Sequence, residues 1–119
     1  MNQGDLHWVD LGNAIGSGPS GSRPCVIIQN DFFNRSRIRT VIVCLITSQP
    51  ERAKSPGNVQ LDPGEGDLPK LSIVNVSQCF TLDKNAIGEY IGTLGNQRID
   101  QIVEGVNLFI QPREYALAR

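Results

Sequence analysis

The sequence contains little histidine and little cysteine. Its 119 residues include one histidine, His7, and three cysteines, Cys25, Cys44 and Cys79. A single histidine excludes a two-histidine acid–base pair within one chain. The cysteines lie among apolar residues and no two have the spacing of metal ligands. We therefore expect buried, reduced thiols, with no disulfide framework, no metal site and no cofactor.

Long apolar segments are also missing. No run reaches the roughly 18 consecutive apolar residues that a transmembrane helix needs. Residues 1–5 lack the basic and apolar regions of a signal peptide, so the sequence predicts a cytoplasmic protein without a membrane partner. With 39% hydrophobic and 19% charged residues, the composition is typical of a single globular domain spanning residues 1–119.

The charges are unevenly distributed, although the formal net charge is only −1. Residues 23–54 carry a local charge of +4, whereas residues 1–22 carry −2 and residues 55–119 carry −3. A basic stretch inside an acidic chain is typical of an anion-binding face. A solubilising cluster of loop charges would give the same pattern, and charge alone leaves both interpretations open.

The hydrophobic pattern predicts six short strands followed by one helix. Strands are expected at residues 5–11, 25–29, 40–47, 58–61, 71–81 and 90–94, and the helix after Gly95 or Asn96. The helix would carry one apolar stripe, formed by Ile99, Ile102, Val103, Val106 and Ile110. The continuous apolar character of residues 40–47 indicates burial on both faces. Together these elements predict a mostly β (α+β) fold, a small antiparallel barrel closed by a C-terminal α-helix.

An arginine–proline pair separates a glycine-rich loop from the second strand. Residues 12–22 contain four glycines, but no Gly-Lys-Ser/Thr follows, which excludes a Walker-type phosphate loop. Pro24 favours extended geometry at Arg23, at the mouth of a strand that begins at Cys25. A guanidinium held there suits a phosphate.

Polar side chains mark two further places in the predicted sheet. Thr47 and Ser48 end the third strand, where their hydroxyls suit either a phosphate or a simple ST turn. Asn75, Ser77 and Gln78 lie within a largely apolar strand and need a partner, which could be structural or a ligand.

Several short motifs occur in order along nearly the whole chain. They are Gly4-Asp5-Leu6, Trp8-Val9-Asp10-Leu11, Gly16-Ser17, Gly21-x-Arg23-Pro24, Val26-Ile27-Ile28-Gln29-Asn30, Leu45-Ile46-Thr47-Ser48, Pro56-Gly57-Asn58-Val59 and Asn75-Val76-Ser77-Gln78. In this order they resemble the MazF/PemK (Kid) toxins of bacterial type II toxin–antitoxin systems.

The resemblance implies an SH3-like barrel of the CcdB/PemK type and a sequence-specific, metal-independent endoribonuclease. Such a toxin cleaves single-stranded RNA, including mRNA, by attack of the ribose 2′-OH. It also implies a homodimer with RNA bound near the interface, and a cognate antitoxin whose disordered tail occupies that groove. The family's catalytic arginine and threonine fall on Arg23 and Thr47. The candidate RNA-binding residues are Ser17, Ser48, Gln49, Asn75, Ser77 and Gln78.

The chain departs from the family pattern at two places. Many members carry an acidic residue in the loop that reads Gly16-Ser17-Gly18-Pro19 here, and some carry an arginine and an acid where this chain has Asn75 and Ser77. These departures leave the general base unassigned, with His7 a candidate if its strand face turns toward the groove. Two alternatives follow: a CcdB-like toxin that inhibits DNA gyrase by protein binding, and a catalytically weak RNA-binding barrel.

Overall fold

The computed structural model describes residues 1–13, 16 and 18–113. In this part of the chain the strands are β1 (Asp5–Asp10), β2 (Ser22–Ile27), β3 (Thr40–Thr47), β4 (Val59–Leu61), β5 (Ser72–Asp83) and β6 (Ile87–Thr93). The helices are α1 (Asp31–Asn34) and α2 (Asn96–Phe109). Short 3₁₀ turns at Pro50–Lys54, Glu65–Asp67 and Lys84–Ala86 connect neighbouring elements.

The strands form one antiparallel sheet in the order β4-β5-β3-β2-β1-β6. The predicted mostly β fold with a C-terminal α-helix is therefore confirmed. Of the central strands, β3 is apolar between its terminal threonines and β2 is apolar from Pro24 onward, as expected for strands covered on both faces. No helix in the described ranges is long and apolar enough to cross a membrane.

Two apolar clusters cover the two faces of the sheet. One cluster contains Leu6, Val26, Cys44, Ile46 and, from α2, Ile102. The other contains the alternating residues of the same strands: Val9, Cys25, Ile27, Val43 and Leu45. Since successive side chains of a strand point to opposite faces, β1, β2 and β3 each contribute to both clusters. The predicted two-sided burial of residues 40–47 follows from this arrangement.

Helix α2 packs closely on the turn before β4. A Cβ atom on Gly105 would collide with the carbonyl oxygen of Gly57, which itself has a φ of +87°. Glycine at both positions lets the backbone of the helix and that of the turn touch. This turn also holds Asn58 in place, and the Asn58 side chain hydrogen-bonds to strand β5.

The structure corrects three sequence-based expectations. Strand β2 begins at Ser22, so Arg23 and Pro24 lie inside it, with Pro24 opposite Trp8. Helix α2 ends at Phe109, so Ile110 lies past the helix and is 68% exposed. Cys25 and Cys44 are buried, but Cys79 is exposed, because the second half of β5 alternates between covered and uncovered residues.

Candidate active site

Arg23 and Thr47 line the same cavity, at the ends of strands β2 and β3. The cavity has a volume of about 490 Å³. It is lined by Trp8, Arg23, Pro24, Ile46, Thr47, Ser48, Gln49, Leu68, Pro69, Lys70 and Ser72. We call it the cationic cavity, because Arg23 and Lys70 are the only charged residues among these lining residues.

Strand register explains why Arg23 and Thr47 meet. Strands β2 and β3 pair with Cys25 opposite Leu45. The pairing ends at this couple, and Arg23 and Thr47 each lie two residues beyond it, at the same end of the two adjacent strands. The two side chains are thus positioned by the central strands of the sheet.

The Arg23 side chain is half-buried and is free to bind a ligand. Among the described residues its guanidinium makes no hydrogen bond and no ion pair. Arg98, by contrast, donates from Nη2 to Glu65 Oε2 over 2.9 Å, and Arg35 lies 3.9 Å from Asp31. An unpaired, partly desolvated guanidinium is suited to bind a phosphate through two parallel hydrogen bonds.

The Thr47 hydroxyl forms an ST turn and still has a proton to donate. The backbone N–H of Gln49 donates to Thr47 Oγ1 over 3.2 Å. A hydroxyl can donate one hydrogen bond while it accepts others, so the turn fixes the oxygen without using its proton. The two interpretations of Thr47 from the sequence are therefore compatible. Ser48 and Gln49 line the cavity beside it.

The other candidate RNA-binding residues lie elsewhere. The register of β5 against β3 shifts between Cys44–Cys79 and Leu45–Asn75, so residues 76–78 form a bulge. Asn75 is 4% exposed, and its Oδ1 accepts from Ser77 Oγ over 2.9 Å and from Asn58 Nδ2 over 3.3 Å. Its partners are structural. Ser77 lines a second cavity, Gln78 is half-buried in the bulge, and Ser17 lies outside the described residues.

His7 is not among the residues that line the cationic cavity. Its Nδ1 lies 3.0 Å from the carbonyl oxygen of Gly88, and its ring packs edge-on against Tyr90. The condition for its use as a general base, a strand face turned toward the cavity, is not met. Within the described ranges no group of three or more His, Cys, Asp or Glu residues could hold a metal ion.

Sequence reasoning missed Trp8 and Lys70 as lining residues. Trp8 is 42% exposed on β1, where the alternating pattern placed it on the face of the buried Leu6. Lys70 follows a loop for which the sequence indicated only a connection. The sequence indicated only that Lys70, a lysine before a strand, would be exposed. Exposure alone does not identify the residues that lie near it.

A second cavity, of about 710 Å³, differs from the first in containing no charged lining residue. We call its surface the apolar patch; it is lined by Ile28, Gln29, Asn30, Phe33, Ile38, Ile42, Val76, Ser77, Cys79, Val106, Phe109 and Ile110. Phe109 is 59% exposed here. Cys79 lies opposite Cys44, and a hydrogen bond from the Cys44 thiol lowers the pKa of Cys79 to about 7.

Comparison with known proteins places this arrangement in a family. Residues 2–110 match the PemK-like, MazF-like toxin of type II toxin-antitoxin systems. Endoribonuclease MazF2 of Mycobacterium bovis is 36% identical over 106 residues, which cover 89% of this chain and 93% of the relative. Endoribonuclease EndoA of Bacillus subtilis is 32% identical over 108 residues, which cover 91% and 92%.

Solved structures share the fold. MazF from Deinococcus radiodurans superposes with a TM-score of 0.76 at 18% identity, covering 94% of this chain and 97% of that one. A mycobacterial endoribonuclease in complex with its cognate antitoxin gives 0.73 at 24% identity, with the same coverage. Since the family match spans most of the sequence, the chain belongs to the PemK-like, MazF-like toxins of type II toxin–antitoxin systems.

Proposed function

We propose that this chain is a metal-independent endoribonuclease toxin that cleaves single-stranded RNA, including mRNA, in the cationic cavity. Family membership and relatives named endoribonucleases support the class of activity. The observation that carries the mechanism is that Arg23 and Thr47 line one cavity.

Cleavage without a metal requires stabilisation of the charge on a five-coordinate phosphorus. The ribose 2′-oxygen attacks the adjacent phosphorus, the bond to the 5′-oxygen breaks, and negative charge accumulates on the non-bridging oxygens. Arg23 is always charged and holds its donors in a planar fork, so it can bind two of these oxygens at once. The products are a 2′,3′-cyclic phosphate and a 5′-hydroxyl.

Thr47 contributes by position. With its oxygen held by the Gln49 N–H, the hydroxyl keeps its proton and can donate a hydrogen bond to a phosphate oxygen. Such a contact orients the scissile group for in-line attack. The described lining residues include no carboxylate and no imidazole. Arg23 and Thr47 therefore act on charge and geometry, and proton removal from the 2′-OH is not assigned to either.

The experiment is cleavage of a long single-stranded RNA in EDTA, with both new ends mapped. We expect cyclic phosphate and 5′-hydroxyl ends at a short recurring motif. Arg23→Ala should abolish cleavage and the growth arrest that follows expression, while Arg37→Ala, an exposed arginine in a different cavity, should leave both unchanged. Arrest that persists in Arg23→Ala without RNA cleavage would instead support a CcdB-like, protein-poisoning toxin. Ends with a 5′-phosphate would contradict the mechanism.

The proposal extends to partners. The apolar patch has no charged lining residue, as expected of a surface that a second copy of the chain covers in a homodimer. A cognate antitoxin would neutralise the toxin by covering the cationic cavity; a mycobacterial relative has been solved with its cognate antitoxin. Acting on mRNA, the toxin would work in the cytoplasm.

A further inference from the structure

The cationic cavity is larger, and is lined by more residues, than the two proposed catalytic residues require. Its volume of about 490 Å³ lies in the range of roughly 300–1,000 Å³ that is typical of ligand sites. Arg23 and Thr47 come from the adjacent central strands β2 and β3. Further contributions come from β1, which pairs with β2, through Trp8, and from the segment before β5, which pairs with β3, through Lys70.

Lys70 is a free cation on a fixed segment. Leu68 beside it is buried, and the Leu68 carbonyl oxygen accepts from the Gly64 N–H over 2.7 Å. The Lys70 carbonyl oxygen accepts from Ser72 Oγ over 2.9 Å. The backbone is thus held on both sides, whereas the ammonium group makes no hydrogen bond or ion pair with any described residue.

Among its described lining residues the cavity has no acid that could neutralise this free ammonium group. Some other cations of the described chain do have local partners: Arg98 has Glu65 and Asp62, and Lys84 Nζ donates to the Asn34 carbonyl oxygen over 3.0 Å. Two unpaired cations that face one cavity repel each other unless an anion lies between or beside them. Consecutive phosphates of a nucleic-acid strand supply two such anions.

Trp8 supplies an aromatic surface in the same cavity. It is 42% exposed, and its indole N–H makes no hydrogen bond to any described residue. An exposed tryptophan beside two free cations is the combination with which single-stranded nucleic acids are bound, the cations tracking phosphates and the ring stacking on a base.

We propose that Lys70 and Trp8 bind the substrate from either side of Arg23 and Thr47 in the cationic cavity, with Lys70 on a phosphate next to the scissile one and Trp8 stacked on a neighbouring base. This inference rests on the proposed function for the identity of the strand as RNA. It assigns two residues to binding, and it leaves the chemical step to Arg23 and Thr47.

The test uses a short, mixed-sequence single-stranded RNA with every ribose 2′-O-methylated, which blocks the proposed nucleophile. Binding is measured by fluorescence anisotropy at several salt concentrations. Replacing Lys70 with Gln should reduce the magnitude of the slope of log K against log salt by about 0.7, the value for one phosphate contact on a single strand. Lys70→Arg should keep the wild-type slope. Arg37→Gln removes the same charge outside the cavity and should change nothing.

Trp8 gives a direct signal because it is the only tryptophan. The methylated RNA should quench its fluorescence, whereas inorganic polyphosphate, which has no bases, should not. Trp8→Ala should weaken binding by about 5- to 150-fold without changing the salt slope, and Trp8→Phe should restore most of the affinity. On unmodified RNA, Lys70→Gln should raise KM and leave kcat unchanged.

Two outcomes would overturn the inference: an unchanged slope in Lys70→Gln, or unchanged Trp8 fluorescence when the methylated RNA binds. Unfolding midpoints equal to wild type confirm that the variants are folded. A failure of the proposed function looks different, since it appears as intact unmodified RNA, or as cleavage of the methylated RNA, while the binding results above still hold.

Discussion

The cationic cavity and the apolar patch are of comparable size but differ in chemistry. The cavity of about 490 Å³ is lined by Arg23, Lys70 and the hydroxyls of Thr47 and Ser48, with no acid among its described lining residues. The patch of about 710 Å³ has no charged lining residue. A charged polymer that keeps part of its hydration suits the first, and a protein surface that excludes water suits the second. The two surfaces therefore suit different kinds of partner, and among the described residues they share no lining residue.

The two surfaces also differ in how they are held. The cavity takes its lining residues from β1, β2, the end of β3 and residues 68–72, whereas the patch takes its own from residues 28–42, residues 76–79 and the end of α2. Substitutions in one region should therefore leave the function of the other intact, and the predictions below test that independence.

The largest effect is expected for Arg23→Lys, which keeps the charge and removes the planar fork. Loss of a positioned donor to a developing oxyanion costs about 10²–10³ in rate. We expect a fall of this size in initial cleavage rate, with the dimer measured by sedimentation unchanged. Arg37→Lys is the matched control. A rate near that of wild type would show that charge alone suffices and that the fork is unused.

Gly105→Ala should damage the support of the patch and spare the cavity. The new methyl group collides with the Gly57 carbonyl oxygen, so the helix must shift. Overpacking of this kind costs about 1–3 kcal/mol of unfolding free energy. Denaturant titration measures the loss, with Asn107→Ala, an exposed position on the same helix, as the control. Equal stability of the two variants would refute the close contact.

Phe109→Glu should weaken the proposed dimer. A carboxylate placed in an apolar interface must be desolvated or the interface must open, and either costs affinity. We expect the dimer dissociation constant to rise by at least about tenfold, which corresponds to roughly 1.4 kcal/mol. Gln111→Glu adds the same charge outside the lining residues of the patch. A dimer that survives Phe109→Glu would place the interface elsewhere, and binding of methylated RNA should be retained if the two regions are independent.

The smallest effect concerns the thiols. Because the Cys44 thiol donates a hydrogen bond to Cys79, the pKa of Cys79 is lowered to about 7. Its alkylation rate should rise with pH and reach half its plateau near that value, since the thiolate is the reactive form. Burial raises the pKa of Cys25 to about 11, and that thiol should not react in the folded protein.

The alkylation rate of Cys79, measured at decreasing protein concentration, also tests the proposed dimer. A second copy seated on the patch should protect Cys79 at high protein concentration, so the alkylation rate should increase on dilution. A Cys79 alkylation rate that does not depend on protein concentration would argue against a second copy covering the patch.

The parts of the fold that could be predicted from sequence are those set by local pattern. The apolar run at residues 40–47 became β3 without change, and the stripe beginning at Ile99 became α2. The proline after Arg23 favours a phosphate contact there, whereas the strand end at Thr47 leaves a phosphate contact and an ST turn equally open, and the family resemblance selects both residues as catalytic. Their placement in one cavity agrees with that choice, and their catalytic roles stay proposals.

The parts that could not be predicted depend on register between distant segments. Nothing local indicates that residues 76–78 form a bulge, or that the Asn75 side chain is satisfied by Asn58 and Ser77. Trp8 and Lys70 are 62 residues apart in the sequence, and only the folded sheet brings them to the lining of one cavity. Pro24 likewise suggests a strand that begins just after it, but β2 already begins at Ser22 and runs through Pro24.

The span of the cavity along the chain has a consequence for synthesis. Its lining residues run from Trp8 to Ser72 and come from both sides of the central strands. Until the chain has been synthesised as far as Ser72, the segment before β5 cannot contribute its residues to the cavity. We therefore expect a nascent chain that ends before β5 to lack the complete cavity.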